Sequence, residues 1–112
     1  MANVYKNIQK KIDQAATDVD MYEPPTETTT IVKTIKLYNT HGSNLVVDIK
    51  VHDASTSTDF EYDTITVNAS NSVDLLTFNN VLILEAGDKI KMQTPTTNVI
   101  KMTASMLQTS RS

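Results

Sequence analysis

Leu45, Val47, Ile49 and Val51 alternate with Val46, Asp48 and Lys50. This period-two pattern marks a strand with one face on a core and one in water. A tight turn, Thr40-His41-Gly42-Ser43-Asn44, precedes it, and before the turn Thr28–Asn39 reads as a longer strand. That strand carries an irregularity. Ile35 and Leu37 share a face and Ile31 would join them, but Lys33 falls on the same side and Val32 on the other. Either Lys33 snorkels at the sheet end or a bulge resets the register, and the bulge is the favoured reading.

The pattern continues toward the C-terminus. Asp53–Glu61 is polar without periodicity and reads as a loop. Tyr62–Val67 alternates through Ile65 and Val67, Asn68–Asn71 turns, and Ser72–Phe78 follows with Val73 and Leu75 on one face and Leu76 and Phe78 bracketing the other. Val81–Leu84 is continuously apolar, as expected for a strand buried on both faces or tucked under a loop. Glu85-Ala86-Gly87-Asp88 turns sharply, with Gly87 free to take a positive φ. Lys89–Gln93 places Ile90 and Met92 inward, and Val99–Leu107 places Ile100, Met102, Ala104 and Met106 inward. The expected fold is all-β, an antiparallel β-sandwich (jelly-roll or Ig-like) of about seven to eight strands with an N-terminal arm. Its expected divisions are an arm at 1–27, a sandwich at 28–108 and a polar tail at 109–112.

The first 27 residues differ in pattern. Lys6, Lys10 and Lys11 stand in a stretch without acid; Asp13, Asp18, Asp20, Glu23 and Glu27 follow in a stretch without base. Val4, Ile8, Ile12 and Ala16 recur every fourth residue, which suits a short helix, but all are even-numbered, which equally suits one face of a strand or extended arm. Asp18–Tyr22 alternates as a short strand, and Pro24-Pro25 ends it by removing two backbone donors. An arm too polar to pack fully, with charge segregated by sign, suggests an interaction device that adds to a neighbouring sheet or docks in a groove. Its expected docking residues are Val4, Tyr5, Ile8, Ile12, Val19, Met21 and Tyr22.

Composition narrows the picture. Of 112 residues 17 are threonine and two are glycine, a balance that favours pleated structure. A chain of this length forms one domain and buries roughly two-thirds of its unfolded surface without a staple. The absence of cysteine excludes disulfides and thiolate chemistry. The net charge of -3 argues against a general nucleic-acid binder. No apolar run approaches the ~20 residues of a membrane-spanning helix, and no signal peptide is visible.

Candidate chemistry is sparse. His41 sits in a turn and His52 ends a strand on its wet face, and neither has a nucleophile or acid nearby in a recognisable motif. Asp53, Asp59, Glu61 and Asp63 cluster around one loop, but the glycine-bearing calcium-loop pattern is missing. Tyr38 and Tyr62 could flank one another as a sugar platform, although tryptophan is absent. Met92, Met102 and Met106 read as adaptable core filling. Asn68-Ala69-Ser70 matches a glycosylation sequon, a tripeptide common by chance. The expectation is no enzyme, no cofactor and no metal.

The segments Thr30-Ile31-Val32-Lys33-Thr34-Ile35, Asn39-Thr40, Val81 to Ile90 and Ala104-Ser105-Met106-Leu107, with the opening Met1 to Asn7, resemble a group of small β-sandwich structural proteins of tailed bacteriophages, notably marine and cyanobacterial ones. The resemblance covers most of the chain, departing from the group in Pro24-Pro25 and in the acidity of the arm. It implies a non-catalytic virion component present in symmetric copies: a capsid decoration or cement protein, or a neck or tail accessory. The implied partners are other virion proteins (major capsid, connector or tail) and further copies of the chain. Neither nucleic acid nor membrane is expected as a partner. The alternative is a carbohydrate-binding or host-adhesion module at a fibre or tail.

Overall fold

The structure, a computed structural model, describes residues 2–77 and 80–110. Phe78, assigned above to a strand face, lies outside the described residues, as do Met1, Arg111 and Ser112 of the termini. Within them the chain forms nine strands: β1 (Ala2–Lys11), β2 (Val19–Tyr22), β3 (Thr28–Asn39), β4 (Leu45–Asp53), β5 (Thr58–Val67), β6 (Ser72–Leu76), β7 (Leu82–Leu84), β8 (Lys89–Gln93) and β9 (Ile100–Ser110). The all-β expectation holds, with nine strands in place of seven to eight.

The strands form two antiparallel sheets. The first runs β1-β9-β3-β6, with β7 also on β3; the second runs β2-β8-β4-β5. Where β6 and β7 share one edge of β3, the chain alternates between sheets except at the β4–β5 hairpin. Of the two sandwich types expected, this order is that of the jelly roll.

Alternation places the core. Ile90 and Met92 on β8, Val47 and Ile49 on β4, and Ile100, Met102, Ala104 and Met106 on β9 are all buried, each where a period of two puts it. On β3 the register shifts between Val32 and Thr34. The bulge at Lys33 sends Val32 inward with Ile35 and Leu37 and turns Ile31 to the outer face.

The N-terminal segment is a strand, not a helix, and it belongs to the sandwich. β1 pairs with β9 along its whole length, from Ala2 opposite Ser110 to Lys11 opposite Lys101. The two ends of the chain are therefore held together. At Ile12 the chain leaves this sheet: its amide donates to Ile100 O at 2.9 Å and its carbonyl accepts from Asn98 at 2.8 Å. Ala16 then takes a positive φ and donates to Thr94 O at 2.8 Å, which carries the chain to β2 in the opposite sheet. Ile12, Val19 and Met21 are fully or nearly buried. A boundary at residue 27 has no counterpart in the packing, because these three side chains help to close the core.

Two further expectations change. Asp53–Glu61 is not a loop throughout: Ala54–Ser57 turn, and Thr58–Glu61 open β5 against β4. Val81–Leu84 is not buried on both faces, since β7 lies on the rim of its sheet with Ile83 60 % exposed.

Asn39 closes the far end of β3. It is fully buried, donates from Nδ2 to Ser43 O at 2.9 Å and Val67 O at 3.0 Å, and accepts from the His41 amide at 2.8 Å. All three bonding directions of its amide used here are satisfied, as burial of a polar group requires.

Candidate functional site

Residues directly opposite in an antiparallel pair share a face. Ile8 faces Ala104, Lys6 faces Met106 and Lys10 faces Met102, so the even-numbered residues of β1 point to the core side. Burial grows along that row. Val4 is half exposed, Ile8 partly buried and Ile12 closed off, because the chain approaches the second sheet only at Ile12. Lys6 and Lys10 stand in the exposed part of the same row.

The odd residues face outward, and one of them begins an apolar ladder. Tyr5 lies opposite Leu107, Leu107 opposite Ile31, and Ile31 opposite Ile83. This row crosses four strands on the outer face of the first sheet, with Tyr5 78 % exposed. The Lys33 ammonium sits 5.4 Å from the Tyr5 ring centre, within cation–π range. The bulge that turns Ile31 outward also supplies Lys33 to this ring.

The docking residues expected from the sequence therefore divide. Val4, Tyr5 and Ile8 lie on the free edge strand, two of them exposed. Ile12, Val19 and Met21 are core residues of their own domain and are corrected as docking residues for that reason. Tyr22 is partly buried; its hydroxyl lies 2.8 Å from Thr30 Oγ1 and accepts from Gln108 Nε2 at 2.7 Å.

The outer face of the second sheet is a charge array. β8 and β4 place Lys91 directly opposite Lys50 and Lys89 opposite His52, arrangements that repel when the groups are charged. Acids from the flanking segments offset this. Lys50 pairs with Asp18 at 3.0 Å, Lys91 with Asp59 at 3.4 Å, and Lys89 with Asp20 at 3.5 Å and Glu23 at 3.9 Å. His52 Nδ1 is 2.5 Å from Asp59 Oδ1. Hydrogen bonding from His52, then from Lys91, holds the Asp59 carboxyl below its usual range. The bond from Ser55 lowers Asp53, and Asp18 raises Lys50.

The titratable groups of this array are engaged with one another on the outer face of the sheet. His52 meets a carboxylate and His41 uses Nδ1 to accept the Ser43 amide at 3.1 Å. Among the described residues no three His, Cys, Asp or Glu side chains converge as a metal site. Asp53 is occupied by Ser55 and Thr56 within its turn. A shallow depression of about 500 Å³ lies between β3, β6 and β9, lined mainly by Thr34, Ile35, Leu76, Thr77 and Thr103. Its charged rim residues, Lys36 and Asp74, face each other at 3.8 Å. Tyr38 is on the first sheet and Tyr62 on the second, where it packs on the core, so the two do not form a common platform.

Four edges bound the sandwich. β2 has four residues, and β6 and β7 share one broken edge of five and three residues. The other two, β1 and β5, are each ten residues long and lack both proline and glycine. Of the two, β1 pairs in unbroken register, while β5 carries one bulge at Tyr62. Long edge strands leave a row of backbone donors and acceptors open to another chain. The signal for β1 was present in its even-numbered apolar residues, which a helix would have used equally. For β5 the alternation of Tyr62–Val67 gave the second half; its first half, Thr58–Glu61, is exposed and carried no sequence signal.

No family model matches the chain, and no curated protein does. A solved structure described by the words "Bacillus endospore appendages form a novel family of disulfide-linked pili" is similar over 98 % of this chain and 89 % of that one. The TM-score is 0.58 and the sequence identity 14 %, so the likeness is one of fold.

Proposed function

We propose that this chain is a non-enzymatic structural subunit that works in multiple copies. We place it in a tailed-bacteriophage virion, as a capsid decoration or cement protein or a neck or tail accessory. The observation that carries the subunit reading is the pair of ten-residue edge strands, β1 and β5, which are open along one side and opposite in charge. Soluble proteins that act alone blunt such edges with short strands, proline, bulges or charged side chains. β5 has one bulge, at Tyr62, and β1 has three lysines, but the bulge leaves most of β5 open and the lysines match acids on the other edge. Among the described residues β5 pairs with no strand on its outer side, and β1 offers Val4 and Tyr5 to solvent beside its open backbone.

The similar sandwich in a pilus-forming chain supports use of this fold in a multi-copy assembly. That pilus is described as disulfide-linked, whereas this chain has no cysteine, so disulfides do not link these residues between copies. The virion placement rests on the sequence resemblance, with the major capsid, connector or tail protein as partners beside further copies. The carbohydrate-binding alternative has no shared aromatic face to rest on, since Tyr38 and Tyr62 are on different sheets.

Two measurements test this. Sedimentation and negative-stain microscopy of the purified chain across a concentration series should give defined multi-copy species; a monomer throughout overturns the subunit reading. Mass spectrometry of gradient-purified phage particles should find the chain at a stoichiometry set by particle symmetry. Its absence from them overturns the virion placement alone.

A further inference from the structure

We infer that copies of this chain join head to tail, the free edge of β1 in one copy pairing antiparallel with the free edge of β5 in the next. This rests on the multi-copy reading above and adds which surfaces meet and in which direction.

Charge selects the pair of edges. β1 carries Lys6, Lys10 and Lys11 and no acid; β5 carries Asp59, Glu61 and Asp63 and no base. Among the described residues, the three lysines make no ion pair within the chain, and neither do Glu61 and Asp63. Pairing β1 with β1 or β5 with β5 would set like charges side by side, which destabilises a sheet. The acidic β2 is the other candidate for β1, but its four residues cannot match ten.

Charge also selects direction. In an antiparallel pair Lys6 comes opposite Asp63 and Val4 opposite Ile65, and the Lys10–Lys11 end of β1 lies at the end of β5 that begins with Thr58 and Asp59. In a parallel pair the lysine end meets Thr66–Val67, so Lys10 and Lys11 go unmatched and only Lys6 lies near acid. The apolar residues agree with the first arrangement. Val4 is 50 % and Phe60 53 % exposed, both toward the core side of their sheets beyond the cover of the opposing layer. Antiparallel pairing lays Ile65 beside Val4 and, past the extra residue of β5 at Tyr62, Phe60 beside Ile8, which continues the core across the seam.

The two edges are different surfaces. β1 ends its sheet beside β9, and β5 ends the other beside β4, approaching β3. A contact between unlike surfaces is heterologous, and it propagates into a ring or an open filament. The first sheet of one copy thus continues into the second sheet of its neighbour, over a seam of about 30 Å for nine paired residues.

The test uses two charge-reversed chains, Lys6→Glu with Lys10→Glu, and Glu61→Lys with Asp63→Lys. All four side chains are exposed, but Glu61→Lys adds a third lysine to the Lys91–Lys50 row, so circular dichroism and a thermal melt establish that each chain keeps the fold before assembly is compared. Wild type should assemble, with affinity at least about tenfold lower at 0.5 M than at 0.05 M salt. Each reversed chain alone should stay monomeric, because its two edges then carry the same sign. An equimolar mixture should assemble with the two chains alternating. Hydrogen exchange on assembled wild type should slow at β1 and β5 amides, a readout that needs no variant. If wild type assembles but both variants assemble equally well, or β1 and β5 gain no protection, the edge assignment is wrong while the multi-copy reading stands. If wild type never assembles, both fall.

Discussion

The Gln108 amide donates to the Tyr22 hydroxyl at 2.7 Å, a bond that ties the last strand of one sheet to the first strand of the other. The same hydroxyl is 2.8 Å from Thr30 Oγ1, which is itself fully buried. Tyr22 thus bridges β2 to both β9 and β3. Tyr22→Phe should keep the ring packing and strand two polar groups, lowering stability by about 1–3 kcal/mol in urea denaturation. A change within a few tenths of a kcal/mol would mean the bridge is replaced by water.

The N-terminal segment is part of the body, and two substitutions separate its roles. Ile12→Ala removes a fully buried side chain where the chain crosses between sheets, and should cost about 2–5 kcal/mol. Val4→Ala, at a half-exposed position on the same face, should leave monomer stability within about 0.5 kcal/mol. Equal effects in denaturant melts would contradict the burial gradient along β1. By the same argument, a chain lacking residues 1–25 loses Ile12, Val19 and Met21 from the core and should not fold as a soluble domain.

The two glycines should respond differently to alanine. Gly87 has φ +91°, and an added Cβ would lie 2.8 Å from Ala54 Cβ, so Gly87→Ala should cost about 1–3 kcal/mol. That turn is also tied by Asp88, whose carboxylate accepts the Ala54 and Glu85 amides at 3.0 Å each. Gly42→Ala meets nothing within 4 Å and should be neutral to within about 0.5 kcal/mol. Thermal melts of the two variants check the contrast.

Acid should expose the role of Asp59. Its folded carboxyl titrates below the ordinary value of 3.8 because of His52 and Lys91. The stabilisation is therefore present above 3.8 and is lost as pH falls through the lower folded value. Asp59→Asn should be less stable than wild type near neutral pH, and the gap should close as acid is added. On the alkaline side, Lys50 is raised above 10.5 by Asp18, so its contribution is present below 10.5 and is lost as pH rises through the folded value. A stability gap for Asp59→Asn that persists below the titration range would rule out the ionic origin.

Much of the sandwich is legible in one dimension because a half-buried strand repeats every second residue. β4, β8 and β9 follow that rule, and the clash of Lys33 with the Ile35–Leu37 face is enough to place the bulge. Asn39 was legible only as the end of a strand; that its amide closes the Val67 end of β5 depends on a partner 28 residues away.

The chain by itself determined an all-β domain, the inward sets of its central strands and a basic then acidic N-terminal stretch, since side-chain period, β-branching and charge are local properties. Tertiary structure decided that the basic stretch is a strand sealed to β9, that a polar run becomes the outer strand β5, and that Ile31 faces water while Ile12 does not. Those outcomes depend on which strand lies opposite which. Pairing is chosen by the joint burial of residues far apart in sequence, and no single segment carries that information.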